Sequence, residues 1–211
     1  MSISTVAILG GAFDPVHRDH ILIASYCLSL KLCDEVWFVP SPNRWDKTLH
    51  ASAEDRFAML KLVTAKNPHF FVSDFEIQMG DFRGSYVSMM RFKERFPDKK
   101  FRLLVGADSY IGIPHWRDPL HFFGTEYNGS LLLQNLELIV FARNGYRKPD
   151  MEKHIAAGYA PLHWVGKEHG FNGTISSTFI RHSLYETRRI CPKGLDKGVF
   201  EYILQQDLYR E

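Results

Sequence analysis

Val6-Ala7-Ile8-Leu9-Gly10-Gly11-Ala12-Phe13-Asp14-Pro15-Val16-His17-Arg18-Asp19-His20 is the stretch whose reading decides the fold. Val6–Leu9 is a short apolar run, the pattern of a strand buried on both faces. Gly10-Gly11 ends it, and Asp14-Pro15 makes a turn. His17 and His20 stand three residues apart, where an apolar helix begins. The glycine pair lets backbone N–H groups approach a bulky anion closely. The helix start adds a positive dipole end and unpaired donors. Two imidazoles in that position can hydrogen-bond phosphate oxygens or protonate them. The stretch predicts a nucleotide phosphate site with histidine-based transfer chemistry. Its parts taken singly have plainer readings: glycines after a first strand are common in parallel α/β proteins, and His-x-x-His also serves as a metal pair or as surface histidines. A zinc site would want a third ligand, and no tight Cys/His cluster elsewhere offers one, so no metal ligand is expected from protein side chains.

The chain has 211 residues, which fits one sizeable domain. An apolar fraction of 45% and a charged fraction of 24% are ordinary for a globular protein. A formal net charge of +2 is too weak to make nucleic acid or a membrane the main partner. Cys27, Cys33 and Cys191 make no even set and no Cys-x-x-Cys, and read as reduced thiols in a cytoplasmic compartment. Met1-Ser2-Ile3-Ser4-Thr5 has no basic region before a long apolar stretch, so no signal peptide is read there. No run of about 18 apolar residues suggests a transmembrane helix.

Short apolar runs alternate with helical patterns. Strands are expected at Thr5–Leu9, Val36–Pro40, His69–Phe75, Phe101–Val105, Leu136–Phe141 and Leu162–Val165. Helices are expected at His20–Leu32, Ser52–Lys66, Ser85–Phe96, Ser177–Glu186 and Gly198–Leu208. Ser52 reads as an N-cap, with Glu54 and Asp55 in the first turn and Asn67-Pro68 as the stop. Phe57, Leu60 and Val63 give that helix an apolar stripe toward the core. The alternation argues an α/β fold, a Rossmann-like doubly wound parallel sheet with helices on both faces and a C-terminal helical segment from about residue 176. Ligands bind such sheets at the carboxyl ends of the strands, where the opening stretch lies. Phe122–Ser130 reads as a surface insertion, with a lid or an oligomer contact as the other readings.

A second phosphate-type signal lies far along the chain, at Ile175-Ser176-Ser177-Thr178-Phe179-Ile180-Arg181. The hydroxyl residues can cap a helix and offer donors to an anion at the positive end of its dipole. Arg181 falls about one turn in, from where its planar fork can reach phosphate oxygens. By itself such a run is most often only a helix cap. Its weight comes from partnership with the first stretch.

Together the two stretches resemble the nucleotidyltransferase superfamily, and within it the bacterial nicotinate mononucleotide adenylyltransferases. The resemblance runs over nearly the whole chain. It takes in Gly10–His17, Val39-Pro40-Ser41-Pro42 with Lys47, Glu54–Leu60, Val105-Gly106-Ala107-Asp108-Ser109, Pro114-His115-Trp116-Arg117-Asp118, Phe141–Tyr146 and Ile175–Arg181. It implies transfer of the adenylyl group of ATP to a pyridine mononucleotide in NAD biosynthesis, with release of pyrophosphate. His17, His20, Lys47 and Arg181 would be the catalytic residues. Gly10, Gly11, Ala12, Phe13, Gly106, Asp108, Ile175, Ser176, Ser177 and Thr178 would contact ATP. Ser85, Tyr86, Trp116 and Arg143 would contact the pyridine nucleotide, Trp116 by stacking on its ring. Mg²⁺ is expected, held mainly by ATP phosphates. A homo-oligomer stays open.

The chain departs from the family pattern at three points, one of them the loop Asn43-Arg44-Trp45-Asp46 after Pro42, which lacks the family's usual Pro-His-Lys. Asp19 stands where the family usually has glycine, and its charge opposes a triphosphate unless it caps the helix and points away. In Arg83-Gly84-Ser85-Tyr86-Val87-Ser88-Met89-Met90 the Ser-Tyr of the family block is kept, while its Thr, Asp and Thr positions are not. That leaves nicotinate and nicotinamide both open as acceptors. The other readings are a phosphopantetheine adenylyltransferase-like or cytidylyl enzyme, and a non-catalytic nucleotide-binding protein on the same fold.

Overall fold

Val6, Ala7, Ile8 and Leu9 are all buried, as their apolar run requires, and the strand they form extends to Ser4–Gly11 (β1). The computed structural model describes residues 3–42, 47–80, 83–117, 124, 126–143, 145–171 and 173–210. The expectations that touch Asn43–Asp46, Asp118, Phe122, Phe123, Thr125 and Asn144 lie outside the described residues. After β1 come α1 (Arg18–Ser29), β2 (Glu35–Pro40), α2 (Ala53–Thr64), β3 (Phe70–Val72), α3 (Phe75–Gln78), α4 (Ser85–Arg95), β4 (Lys99–Gly106) and α5 (Ala107–Gly112). The chain continues through α6 (Gly129–Asn135), β5 (Glu137–Phe141), α7 (Met151–Ala156), β6 (Leu162–Val165), α8 (Ser177–Glu186) and α9 (Lys197–Gln205).

Among the described residues six strands form one sheet in the order β3-β2-β1-β4-β5-β6. This is the doubly wound order, which reverses between β1 and β4. β1 pairs with β4, β4 with β5 and β5 with β6, all parallel. The chain divides into two compact units. One comprises Met1–Gly10, Tyr26–Val36 and Arg83–Gly173; the other comprises Gly11–Ser25, Trp37–Phe82 and Thr174–Glu211.

In the first unit the register places Leu9 beside Leu104 and Gly106 beside Phe141, so the carboxyl ends of β1, β4 and β5 share one end of the sheet. Leu103, Leu104, Leu138, Ile139 and Val140 fill its interior. Each such side chain contributes about 1.5–3 kcal/mol on burial. At the opposite end Glu137 takes an ion pair from Lys100 and one from Arg102 Nε at 2.8 Å.

In the second unit Phe38 packs on Phe13 and Phe70, at ring separations of 6.0 and 5.5 Å. Helix α2 rests on β3 and on α9. Tyr202 of α9 donates to Asp55 of α2 at 2.9 Å, and Lys66 pairs with Asp196 at 2.9 Å. Ser52 caps α2 through a bond from the Asp55 N–H at 3.0 Å, as its position predicted.

The elements depart from expectation where local polar groups intervene. The expected strand His69–Phe75 keeps only Phe70–Val72. The Ser73 hydroxyl accepts from the Phe75 N–H at 3.3 Å, which turns the chain into α3. Helix α1 stops at Ser29, where Lys31 adopts a φ of 53°. The stretch expected as an insertion is not all surface: Asn128 and Gly129 are buried, and Gly129 opens α6. A Cβ built on Gly129 would lie 1.6 Å from the Ile113 carbonyl oxygen, so only glycine permits that approach.

Candidate active site

The second unit holds the His-x-x-His turn. Phe13 is buried with a φ of 50°, a left-handed conformation that bulky residues adopt at a cost. Its ring meets His20 edge-on at 4.9 Å, and the His17 and His20 rings stack at 3.8 Å. The His17 backbone N–H donates to His20 Nδ1 at 3.2 Å. Neutral His20 therefore carries its proton on Nε2, as a donor. His17 is buried and His20 half-buried.

Asp14 organises this turn. Its Oδ2 accepts the His50 N–H at 2.8 Å, and its Oδ1 accepts the Ala51 N–H at 3.1 Å and the Tyr209 hydroxyl at 2.7 Å. Lys47 is exposed and stands three residues before that anchor. Arg56 is fully buried, and donates to Ala12 O at 2.8 Å and to Ala51 O at 3.3 Å. Burial lowers its pKa, against the charges of Asp14, Tyr209 and Glu54, which raise it.

The same unit contains the start of α8. Ser176 caps the helix, accepting from the Phe179 N–H at 3.1 Å. Ser177 donates its hydroxyl to Pro15 O at 2.9 Å, and Arg181 donates to Asp14 O at 2.6 Å and to Thr178 Oγ1 at 3.4 Å. The Ser177 hydroxyl and Arg181 thus join α8 to the Asp-Pro turn, while the Ser176 and Thr178 hydroxyls accept donors from α8 itself. What the helix start presents to an anion is the backbone N–H groups of Ser177 and Thr178. Asp19 is buried, and its Oδ2 accepts the Thr174 and Ile175 N–H groups, each at 2.7 Å. Arg18 Nε lies 3.6 Å from the other oxygen. The carboxylate is turned toward the chain that enters α8.

The first unit holds the remaining candidates, so the residues assigned to ATP divide between the two units. A Cβ on Gly10 would meet nothing within 4 Å. At Gly106 a Cβ would lie 2.3 Å from Asp108 Oδ1, so the close approach this glycine permits is that of Asp108 itself. Asp108 pairs with Arg143 Nε at 3.5 Å. That contact joins a residue assigned to ATP with one assigned to the pyridine nucleotide. Arg143 also borders a cavity of about 340 Å³ lined by Tyr146, Lys148, Trp164, Lys167 and Glu168, among others. Ser85 is the first residue of α4, Tyr86 is buried beside it, and burial raises the Tyr86 hydroxyl pKa. Trp116 is half-buried and follows the short turn Ile113–His115; its carbonyl accepts from the Asn128 N–H at 3.1 Å.

Sequence reasoning missed Asp14 as a hub, and with it Arg56, Tyr209 and the partners of Asp19. The Asp-Pro turn marked a bend but not its tertiary bonds, and nothing local marks Tyr209.

The doubly wound sheet and the family match define a nucleotidyltransferase: the chain matches the cytidylyltransferase-like family model over residues 8–183. It is 32% identical over 97% of its length to a Clostridium botulinum protein named "probable nicotinate-nucleotide adenylyltransferase", covering 98% of that protein. A Mycolicibacterium vanbaalenii protein of the same name is 31% identical, over 97% of this chain and 92% of that one. Nicotinic acid mononucleotide adenylyltransferase of Plasmodium falciparum, solved in complex with NaAD, shares the fold at a TM-score of 0.77 and 20% identity, over 98% of this chain and 97% of that chain. The chain belongs to the cytidylyltransferase-like family and, within it, to the nicotinate-nucleotide adenylyltransferases.

Proposed function

We propose that the chain transfers the adenylyl group of ATP to nicotinate mononucleotide, giving deamido-NAD and pyrophosphate. The observation that carries this reading is the bonding of the Asp14–His20 stretch to the start of α8 within one unit, through Ser177 to Pro15 O, Arg181 to Asp14 O, and Asp19 to the chain entering α8. Two anion-type elements of distant sequence are thereby fixed against each other.

On this reading an acceptor phosphate oxygen attacks the α-phosphorus, the bond to the bridging oxygen of pyrophosphate breaks, and pyrophosphate leaves with the electron pair. No protein nucleophile is needed, and catalysis rests on positioning and charge stabilisation. His20 donates from Nε2 to a phosphate oxygen. The α8 start, Arg181 and Lys47 take up phosphate charge. Trp116 stacks on the pyridine ring. Mg²⁺, when bound, neutralises phosphate charge. Among the described residues no group of three or more His, Cys, Asp or Glu is placed to hold a metal ion. Asp14 accepts three donors and Asp19 Oδ2 two, while the buried Asp19 Oδ1 has no hydrogen-bond partner among the described residues; phosphate oxygens and water are the proposed ligands of the ion.

Pyrophosphate release from ATP, measured in parallel with nicotinate mononucleotide, nicotinamide mononucleotide and phosphopantetheine, tests the reading. Turnover is expected with nicotinate mononucleotide. Turnover with the nicotinamide form alone would move the acceptor, and turnover with neither would end the assignment.

A further inference from the structure

We propose that Asp19 is a positioning residue: its carboxylate sets the start of α8 against the His17–His20 turn and thereby places the phosphate-binding groups. An acidic residue in the first turn of a helix, as Asp19 is in α1, can be stabilised by the positive end of its own helix dipole. Asp19 instead reaches chain more than 150 positions away and accepts two consecutive backbone N–H groups on one oxygen. Those two residues, Thr174 and Ile175, immediately precede Ser176, the N-cap of α8.

The same junction is closed from another side. The Arg18 N–H donates to Gly194 O at 2.8 Å, and a Cβ built on Gly194, whose φ is 89°, would lie 3.0 Å from Ile175 Cγ1. Residues 18–19, 174–175 and 194 therefore form one packed joint with Asp19 at its centre. A glycine at position 19 offers no acceptor, and the Ile175 N–H, on a buried residue, would need another. Bonds from backbone N–H to a carboxylate are short and directional, which suits a joint that fixes orientation.

The kinetic test rests on the proposed adenylyl transfer; the structural test does not. Asp19→Ala removes the acceptor. Asp19→Asn keeps one carbonyl oxygen whose two lone pairs can take both N–H groups. In the Ala variant, assayed well below its unfolding transition, kcat should fall by roughly tenfold or more, the scale at which small misplacements slow a positioned reaction. KM for ATP should rise, while KM for nicotinate mononucleotide stays unchanged. The Asn variant should keep most of the activity. Amide hydrogen exchange at Thr174 and Ile175 should be faster in Asp19→Ala alone. A folded Ala variant with a lower Tm but wild-type kcat and ATP KM overturns the proposal, and so does an Asn variant as impaired as Ala. If Asp19→Ala does not fold, Asp19→Glu, which shifts the carboxylate by one methylene, should show the same loss, and wild-type kinetics there overturn it equally. Should the wild type turn over no pyridine nucleotide, the proposed function fails. Exchange at the two amides, with calorimetric affinity for a non-hydrolysable ATP analogue, then decides the role of Asp19 by itself.

Discussion

Tyr209 donates its hydroxyl to Asp14 Oδ1 at 2.7 Å, closing a contact between residues 195 positions apart. Asp14 is the centre of the turn before His17, so a residue near the end of the chain helps hold the candidate catalytic turn in shape. Arg188 supports the approach by donating to Leu208 O at 2.7 Å. Removing the hydroxyl in Tyr209→Phe leaves the buried carboxylate short of one donor. The expected loss is about 1.5–3 kcal/mol, the range for hydrogen bonds to charged groups, read by urea unfolding near neutral pH.

The same contact predicts an alkaline effect. Burial, then the charge of Asp14 and the hydrogen bond to it, push the Tyr209 hydroxyl pKa well above its ordinary value of 10.0. The folded chain keeps that proton at pH values where the unfolded chain releases it. Its contribution is complete below pH 10.0 and is lost as pH rises further. Tyr209→Phe should flatten the alkaline fall in unfolding free energy without abolishing it, because the hydroxyls of Tyr86, Tyr110 and Tyr202 are also raised. An unchanged slope would remove Tyr209 from that limb.

His20→Ala should lower kcat by about 10²-fold, the scale for removing one donor to developing charge. The bond from the His17 N–H to Nδ1 leaves the opposite nitrogen to carry the proton, so the variant removes a defined donor. Initial rates of pyrophosphate release at saturating ATP measure it, and an unaltered kcat would exclude His20 from the chemistry.

Two glycines should respond in opposite ways to alanine. A Cβ at Gly129 meets the Ile113 carbonyl oxygen at 1.6 Å and its carbon at 2.6 Å, both backbone atoms with no rotamer to change. Gly129→Ala should cost about 3 kcal/mol, the upper end for overpacking. Gly10→Ala meets open space and should unfold within about 0.5 kcal/mol of the wild type. If ATP lies against Gly10, that variant raises the ATP KM in an otherwise normal fold. Denaturant unfolding of both variants, with the ATP KM of the second, makes the comparison.

Acid should destabilise the fold in two stages. Burial first, then the charges of Arg102 and Lys100, hold His163 below its ordinary 6.5, with Glu137 acting in the other direction. Its neutral form persists in the fold while the unfolded chain takes up a proton, so stability present above pH 6.5 falls as pH drops below it. Burial raises the Glu137 pKa, but hydrogen bonds and charge from Lys100 and Arg102 outweigh it, and the net value lies below 4.5. Its contribution is present above pH 4.5 and is lost as pH falls through the lowered value. Urea unfolding across that range should show His163→Gln flattening the upper stage and Glu137→Gln the lower one.

By itself the sequence determined the elements whose causes are local. The buried run Val6–Leu9, the caps at Ser52 and Ser176, and the bounds Ser177–Glu186 follow from side-chain pattern and from hydrogen bonds that span three residues. The elements that carry the two phosphate-type stretches were legible for the same reason, since one is a strand end and the other a helix start with its polar residues beside it. Tertiary structure alone decided which groups those stretches use on each other. Ser177, read as an anion donor, bonds Pro15 O, and Gly106, read as room for a ligand, makes room for Asp108. The charge of Asp19 read as an obstacle to a triphosphate, yet its partners are two backbone N–H groups far along the chain. A residue's type fixes how many hydrogen bonds it must make, but its partners depend on which distant backbone the fold brings within 3 Å.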